Sequence, residues 1–504
     1  MNDTSLDTLG GAHMRRLKVS PTGRPSGSFE KSKGFRQVDL ALVVCPGWGV
    51  IQPPVGISYL KGFLSRAGIN LKCFDLNLEL YKGAPDKSYW DSNCPEYFVT
   101  PQLFTEHILP FLKPFFTKWA VDILKYSPEV VGFSLFMTNA NASLMLARCL
   151  KEINPHLIII AGGPEAMRIK RVYRDGIKAI ASINQEIFTD DVFDILVYGE
   201  GEEALLDILS ALKQGLSLEG IKGILYKRQG KFITNAAREW IKDLDILAYP
   251  DYHDFELRNY ALSSLPITTS RGCINRCTFC AESLLWQKYR VCSAERVIKE
   301  ITFLMREYGI NEFQMSDSTF NGDINRVDKI CDLIINSGLN ILWSGKANLL
   351  DSMDYALLVK MKRAGCDSLA YGLESGSPGV LEDMRKNINL KTAERIIRDT
   401  HRAGIHANCF FIIGYPTETE EDFQMTLDFV RKNAEHIHIF DHVTGCHIEE
   451  DSYLGLNAEK YGIVFKDDGW HSRESTPVIR KERLERFKEL ARYAHKHYQC
   501  QVQT

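Results

Sequence analysis

Three cysteines, Cys273, Cys277 and Cys280, fall within eight residues of the stretch "TTSRGCINRCTFCAES". Thiolates are soft metal ligands. A structural zinc normally takes four protein ligands in a closed site, and a four-iron cluster usually takes four cysteines. Three leave one metal position open, which is the general condition for binding a reactant directly on a metal. The spacing therefore predicts a metal centre that does chemistry. Two other readings stand beside it: three buried thiols on a loop, and a zinc completed by a remote ligand such as His253.

The chain has 504 residues and 13 cysteines. Those outside the triplet, such as Cys149, Cys331, Cys366 and Cys409, lie singly in apolar segments. That is not a disulfide framework. The net charge of −3 argues against a nucleic-acid partner. No apolar run reaches the ~18 residues of a membrane span. Residues 1–36 are rich in Ser, Gly, Pro and charge, without the apolar core of a signal peptide. They are expected to form a disordered tail, and the protein is expected to be cytoplasmic.

The elements that must position the triplet follow from the apolar pattern. "VDLALVVCP", "INLKCFDLN", "VVGFSLF", "HLIIIAGGPEA" and "FDILVYGEGEEALL" read as buried strands alternating with helices. An aromatic-rich insertion at about 80–118 interrupts them. Continuous apolar strands separated by helices predict a parallel sheet covered on both faces. The fold class is thus α/β, beginning with a doubly wound, flavodoxin-like domain over 37–220. Residues 221–264 read as a linker that opens with a polar hairpin. Strands at "PITTS", "EFQMSDS", "NILWSGKA", "DSLAYGLES", "HANCFFIIGYP" and "HIHIFDHV" then predict a partial (β/α)6 barrel over 265–445. In such a barrel the working groups lie at the C-terminal strand ends, and the cysteine triplet directly follows the first of these strands. Residues 446–504 are expected to close the barrel, with a helix at "RKERLERFKELARYAHKHY".

Cys-x3-Cys-x-aromatic-Cys, with Phe279 before the last cysteine, resembles the signature of the radical S-adenosylmethionine (SAM) enzymes. The resemblance implies a 4Fe-4S cluster on Cys273, Cys277 and Cys280, with its open iron chelated by the amino and carboxylate groups of SAM. One electron from the cluster would cleave SAM, and the 5′-deoxyadenosyl radical would take a hydrogen atom from the substrate. "YGLESGSPGVL" (371–381) resembles the family's fourth-strand segment, so Glu374 and Ser375 would bind polar parts of SAM. "FFIIGYPTET" (410–419) resembles the segment after the fifth strand, where Gly414 would let backbone approach the adenosyl group. "QMSDSTF" (314–320) would bring Asp317 to SAM. The resemblance covers roughly 265–445.

"PPVGISYLKGFLSRAG", "AGGPE" and "VYGEGEEAL" look like the cobalamin-binding domain found in one branch of that family. Ser134 and Thr138 could line its ligand channel, and Gly162, Gly163 and Gly199 permit close backbone approach. The Asp-x-His-x-x-Gly motif that supplies a cobalt-binding histidine in other cobalamin domains is absent. Trp48 and Gln52 are the nearest candidates for the lower cobalt face. The alternative is a domain that kept the fold and lost the cofactor. Neither Gly-x-Gly-x-x-Gly after the first strand nor a P-loop motif occurs, which argues against a dinucleotide or nucleoside triphosphate.

The resemblance implies a cobalamin-dependent methyltransferase acting on an unactivated carbon. A cyclase or rearrangement enzyme of the same branch is the alternative, and a non-catalytic corrinoid- or SAM-binding sensor is the reading from another class. A methylthiotransferase is disfavoured, since Cys45, Cys73, Cys94 and Cys149 form no second set. An electron donor such as flavodoxin or ferredoxin is implied, with a substrate left open. Cys446, His447 and Glu449 are candidate acids or bases near it, and Tyr371 and Trp343 could shape its cavity.

Overall fold

The computed structural model describes residues 37–47, 49–84, 86–90, 96–168, 192–449, 452–466, 468–498 and 501–502. The expected tail, Trp48 and Cys94 lie outside the described residues.

The first sheet contains β1 (Leu40–Val44), β2 (Leu71–Asp75), β3 (Val130–Ser134), β4 (Ile158–Gly162) and β5 (Ile195–Val197), all parallel, in the order β2-β1-β3-β4-β5. Every residue of β1 is buried, as a strand covered on both faces requires. The aromatic-rich insertion explains itself as cover for one of those faces. Its helix Leu109–Leu124 buries Leu112, Phe116 and Trp119 against β1 and β3. The hairpin assigned above to the linker instead extends the sheet. Strand β6 (Ile224–Arg228) pairs antiparallel with β5, and β7 (Lys231–Thr234) with β6. Its polar pattern is that of an edge, where one face stays wet, so the sheet ends at residue 234.

The second sheet holds the six expected strands: β8 (Leu265–Ile267), then, after the short ribbon β9 (Ser270–Arg271) and β10 (Arg290–Val291), β11 (Glu312–Met315), β12 (Leu342–Ala347), β13 (Cys366–Glu374), β14 (His406–Ile413) and β15 (Ile439–Gly445). They are parallel and sequential, with helices packed on one face. The helix Ala294–Tyr308 shows why these connections form. The Ser293 hydroxyl caps its start by accepting from Arg296 N–H, Gly309 ends it at φ +67°, and Val297, Ile301 and Leu304 recur on its buried face. Polar residues such as Lys346 and Asn408 occupy the face away from the helices. Three register shifts break this sheet, one opposite Cys366–Ser368 of β13, one between Gly372 and Glu374 of β13 and one opposite Asp441–Val443 of β15. The last two each contain a non-glycine residue in the left-handed region, Glu374 at φ +71° and His442 at φ +45°.

A continuous apolar core runs from the first sheet through the segment 241–260 into the second. The junction also carries polar ties. The Tyr59 hydroxyl donates to Glu300 (2.5 Å) and accepts from Thr268 N–H (2.8 Å), while Lys61 pairs with Asp254 (2.8 Å). The C-terminal segment adds the hairpin β16 (Val464–Lys466) and β17 (Gly469–His471), the helix Pro477–Tyr498, and β18 (Gln501–Val502), which pairs with β15. Among the described residues no helix is long and apolar enough to cross a membrane.

Candidate functional site

The three cysteines lie on the loop that follows β8 and β9. Cys273 Sγ is 2.9 Å from Thr319 Oγ1 and accepts from Asn275 N–H at 3.4 Å. Thr278 N–H donates to Met384 O, and Leu454 N–H donates to Thr278 O. The loop is therefore held by chain segments distant in sequence. Burial pushes the Cys280 thiol up to about 12. It also raises Cys277, against which the charge of Lys386 works. A bare thiolate is unfavourable there. A bound cation that takes the place of the proton reverses that penalty, so the donor set fits an iron-sulfur cluster. Among the described residues no three His, Cys, Asp or Glu side chains converge closely enough to hold a single metal ion. His253, the remote ligand considered for zinc, has its ring nitrogens on Asp251 and Glu307 in an exposed position.

Glu374 stands over the loop on the inner face of β13. Its carboxylate is 2.8 Å from Lys386 Nζ, with both side chains buried. The two heads pack directly above Gly372, where a Cβ would meet each of them within 2.7 Å. Lys386 Nζ also lies 6.0 Å from the Phe279 ring centroid. Phe279, Glu374 and Lys386 thus share one wall beside Cys277. Lys386 was not legible in the sequence, because a lysine after a short capped helix carries no motif.

Three residues expected to touch SAM have other partners. Asp317 is wholly buried and accepts from Thr269 N–H (2.7 Å), Thr269 Oγ1 (2.5 Å) and Ser270 N–H (2.9 Å). It staples the strand end that leads into the cysteine loop. Ser375 is fully buried, with its hydroxyl between Thr426 Oγ1 (3.1 Å) and Ser377 N–H (3.1 Å). Gly414 sits at φ +75°, donates to Glu418 (2.9 Å) and accepts from Ser475 Oγ (2.7 Å). A Cβ there would lie 2.4 Å from Arg480 Cγ. Glycine at 414 serves the approach of the C-terminal helix. Likewise Tyr371 and Trp343 point into the helix-covered core, bonded to Thr400 Oγ1 (2.7 Å) and Ala364 O (2.9 Å). Cys446 is buried against the C-terminal segment, His447 is exposed, and Glu449 pairs with Arg168 of the first domain.

A cavity of about 370 Å³ opens between the two sheets. Ser134, Gly162, Gly163 and Gly199, at the ends of β3, β4 and β5, form one wall. Ser270, Arg271, Gly272 and Ser318 form the other. The cysteine loop therefore borders it. Gly56, Gly162 and Gly199 leave bare backbone towards open space, with no atom closer than 3.8 Å to an added Cβ. A glycine-rich cradle at the C-terminal ends of a doubly wound sheet fits a large, flat ligand such as a corrin. Among the described residues no His or Cys lines the cavity. Thr138 does not line it either; its carbonyl abuts Gly47 and its hydroxyl is buried without a partner. Gln52 is bonded to Ser264 Oγ (2.6 Å) outside the cavity. At the rim, Arg271 pairs with Glu200 (2.5 Å) and Glu202, and Arg290 with Glu200 (2.9 Å). The Arg271 charge holds the buried Glu202 carboxyl below its ordinary range despite desolvation. The "GEGEE" loop thereby clasps the residue two positions before Cys273.

The sequence profile of the radical SAM superfamily matches residues 267–430. An uncharacterized methyltransferase of Pyrococcus horikoshii is 31% identical over 321 residues, covering 63% of this chain and 67% of that protein. The cytidylyl-2-hydroxyethylphosphonate methyltransferase of Streptomyces wedmorensis is 26% identical over 423 residues, covering 75% and 73%. Among solved structures, the radical SAM methyltransferase TsrM of Kitasatospora setae, determined with cobalamin and a [4Fe-4S] cluster, superposes with a TM-score of 0.61 at 16% identity over 86% of this chain and 80% of that one. That likeness is one of fold.

Proposed function

The chain belongs to the radical SAM superfamily, and from that premise we propose that it is a cobalamin-dependent methyltransferase acting on an unactivated carbon. The observation that carries the reading is the cavity shared by the two sheets, with Gly272 and Glu282, at the two ends of the cysteine loop, in its wall. Cys273, Cys277 and Cys280 would hold the cluster. Phe279, Glu374 and Lys386 would face SAM, and the glycine cradle of Gly162, Gly163 and Gly199, with Ser134, would take the corrin. When bound, the cluster and SAM supply a radical able to take hydrogen from carbon, and cobalamin supplies the methyl group.

The chain's own part is orientation and exclusion of water. The buried Glu374–Lys386 pair offers a fixed anion and a fixed cation to a zwitterionic ligand. The Arg271–Glu200–Glu202 clasp sets the distance between the corrin cradle and the cysteine loop. An electron donor such as flavodoxin or ferredoxin and a reducing, cytoplasmic setting accompany the same chemistry.

The test uses anaerobically loaded protein, reductant and SAM carrying a deuterated methyl group. Methyl transfer predicts S-adenosylhomocysteine and 5′-deoxyadenosine together, with the label on the corrin. A cyclase or rearrangement enzyme gives 5′-deoxyadenosine without S-adenosylhomocysteine, which would overturn the methyltransferase reading.

A further inference from the structure

Strand β15 carries a bulge at its middle. Asp441 is in register with Phe410 of β14 and Val443 with Phe411, so His442 is an extra residue with no partner across the ladder. Phe440 and Val443 both belong to the helix-covered core. The two residues between them, Asp441 and His442, therefore both face the inner side of the sheet, where a regular strand would send one to each face. His442 adopts its left-handed φ of +45° at this point. Its ring packs edge-on against Phe410, with centroids 5.3 Å apart and planes at 74°. Its Nε2 lies 3.6 Å from Asp441 Oδ1, too far for a hydrogen bond.

Asp441 Oδ1 is buried without a hydrogen-bond partner, and so is Asn408 Oδ1, two residues before Phe410 on the same face. A buried acceptor left unpaired is costly, and two of them on one inner face call for a donor from outside the chain. The place is open to receive one, since the Asp441 side chain is 15% exposed and that of His442 53%. Charge selects the donor. Burial lifts the Asp441 carboxyl above its ordinary range, although His442 and Lys346 work to lower it. Burial lifts Glu282 as well, and Lys346 works against that too. Lys346 is exposed on the inner side of β12 and forms no ion pair among the described residues. Its one charge is thus shared between two carboxyls, while Glu374 and Lys386 close on each other. What Asp441 lacks is a cation within hydrogen-bond reach.

We propose that Asp441, Asn408 and His442 recognise the substrate by a protonated amine. The proposal rests on the reading of this chain as a radical SAM enzyme that takes its substrate beside SAM. One ammonium N–H donates to Asp441 Oδ1 as a charge-assisted hydrogen bond and another to Asn408 Oδ1. The rings of Phe410 and His442 form an aromatic wall beside the cation. Gly372, Phe410 and Asp441 share one rung of the sheet, and the Glu374–Lys386 pair sits above Gly372. An amine held at Asp441 therefore places its substrate next to the wall assigned to SAM. No bond is made or broken there; the site orients the substrate.

The experiment titrates three probes of one shape, n-butylammonium, n-butanol and butyrate, into reconstituted, SAM-loaded protein, followed by ligand-observed NMR. Wild type is compared with Asp441→Asn and with Asp428→Asn, an exposed acid on the outer helix Glu420–Asn433. Wild type is expected to bind butylammonium about tenfold more tightly than either other probe. Asp441→Asn should abolish that preference and keep wild-type SAM affinity in equilibrium dialysis. Its Tm should equal or exceed that of wild type, because a buried carboxylate without a partner does not support the fold. Asp428→Asn should behave as wild type. Equal binding of the three probes by wild type, or a preference that survives Asp441→Asn, would overturn the site. So would a matching loss of SAM affinity, which would give the two acceptors to SAM itself, or a large fall in Tm, which would make Asp441 a residue of the fold. Wild type that binds no SAM after reconstitution would instead overturn the cluster and SAM assignment beneath the proposal.

Discussion

Glu418 offers a prediction whose size follows from the structure. Its side chain is fully buried, with one oxygen accepting from Gly414 N–H (2.9 Å) and Arg483 Nη1 (3.3 Å) and the other without a partner. Burial lifts its pKa from 4.5 to about 7, although Gly414 and Arg483 both work to lower it. A carboxyl with a raised folded-state pKa binds more protons folded than unfolded. Its contribution to stability is complete below about 4.5 and is lost as pH rises through about 7. At ~1.4 kcal/mol per pKa unit, Glu418→Gln should gain about 3 kcal/mol on wild type between pH 4.5 and pH 8. If the C-terminal half unfolds as a unit of ~200 residues, that corresponds to a relative Tm shift of about 6–12 °C. The assay is thermal unfolding of metal-free Glu418→Gln and wild type from pH 5 to 8.5, followed as the difference in Tm. A constant offset, from leaving Arg483 without its carboxylate, does not change with pH. A difference that stays flat across the range would refute the reasoning, because it would mean that Glu418 ionises in the fold as it does in water.

Arg271→Gln should leave Glu200 and Glu202 short of their shared cation in a buried setting, at a cost of about 3–5 kcal/mol. Urea unfolding reads that cost, and a loss under 1 kcal/mol would show the clasp to be dispensable. Gly163→Ala should destabilise the first domain by about 1–3 kcal/mol, since the residue sits at φ +93° with Leu135 O 2.6 Å from an added Cβ. It should also lower corrinoid retention in gel filtration; full retention in a folded variant would remove Gly163 from the cradle. Glu374→Gln should weaken SAM binding about tenfold, the worth of one charge-assisted hydrogen bond. Equilibrium dialysis checks this, and an unchanged Kd would move SAM recognition away from β13.

The strands were legible because each is a short apolar run buried on both faces or against helices, and burial writes itself directly into composition. The cysteine triplet was legible because three thiols in eight residues serve few other purposes. The hairpin 224–234 was misplaced because an edge strand is wet on one face and reads as a loop. Asp317, Ser375 and Gly414 stand at the expected strand ends, and each also has partners within the protein that its motif does not show. A motif fixes where a residue stands, whereas Thr269, Thr426 and Arg480, which engage these three, come from elsewhere in the fold. Lys386 was invisible for the converse reason. Nothing local marks it, and its role follows only from the carboxylate of Glu374 and the thiol of Cys277 beside it.

The most direct measurement of the central claim is the iron, cobalt and corrinoid content per chain. It would be made on protein produced anaerobically with cobalamin supplied, alongside Cys273→Ala, Cys277→Ala and Cys280→Ala. The account predicts about four irons and one corrinoid in the wild type. Each cysteine variant should stay folded and lose the iron while keeping the corrinoid. Iron that survives removal of any one of the three thiols, or wild-type protein that takes up no iron after reconstitution, would contradict it.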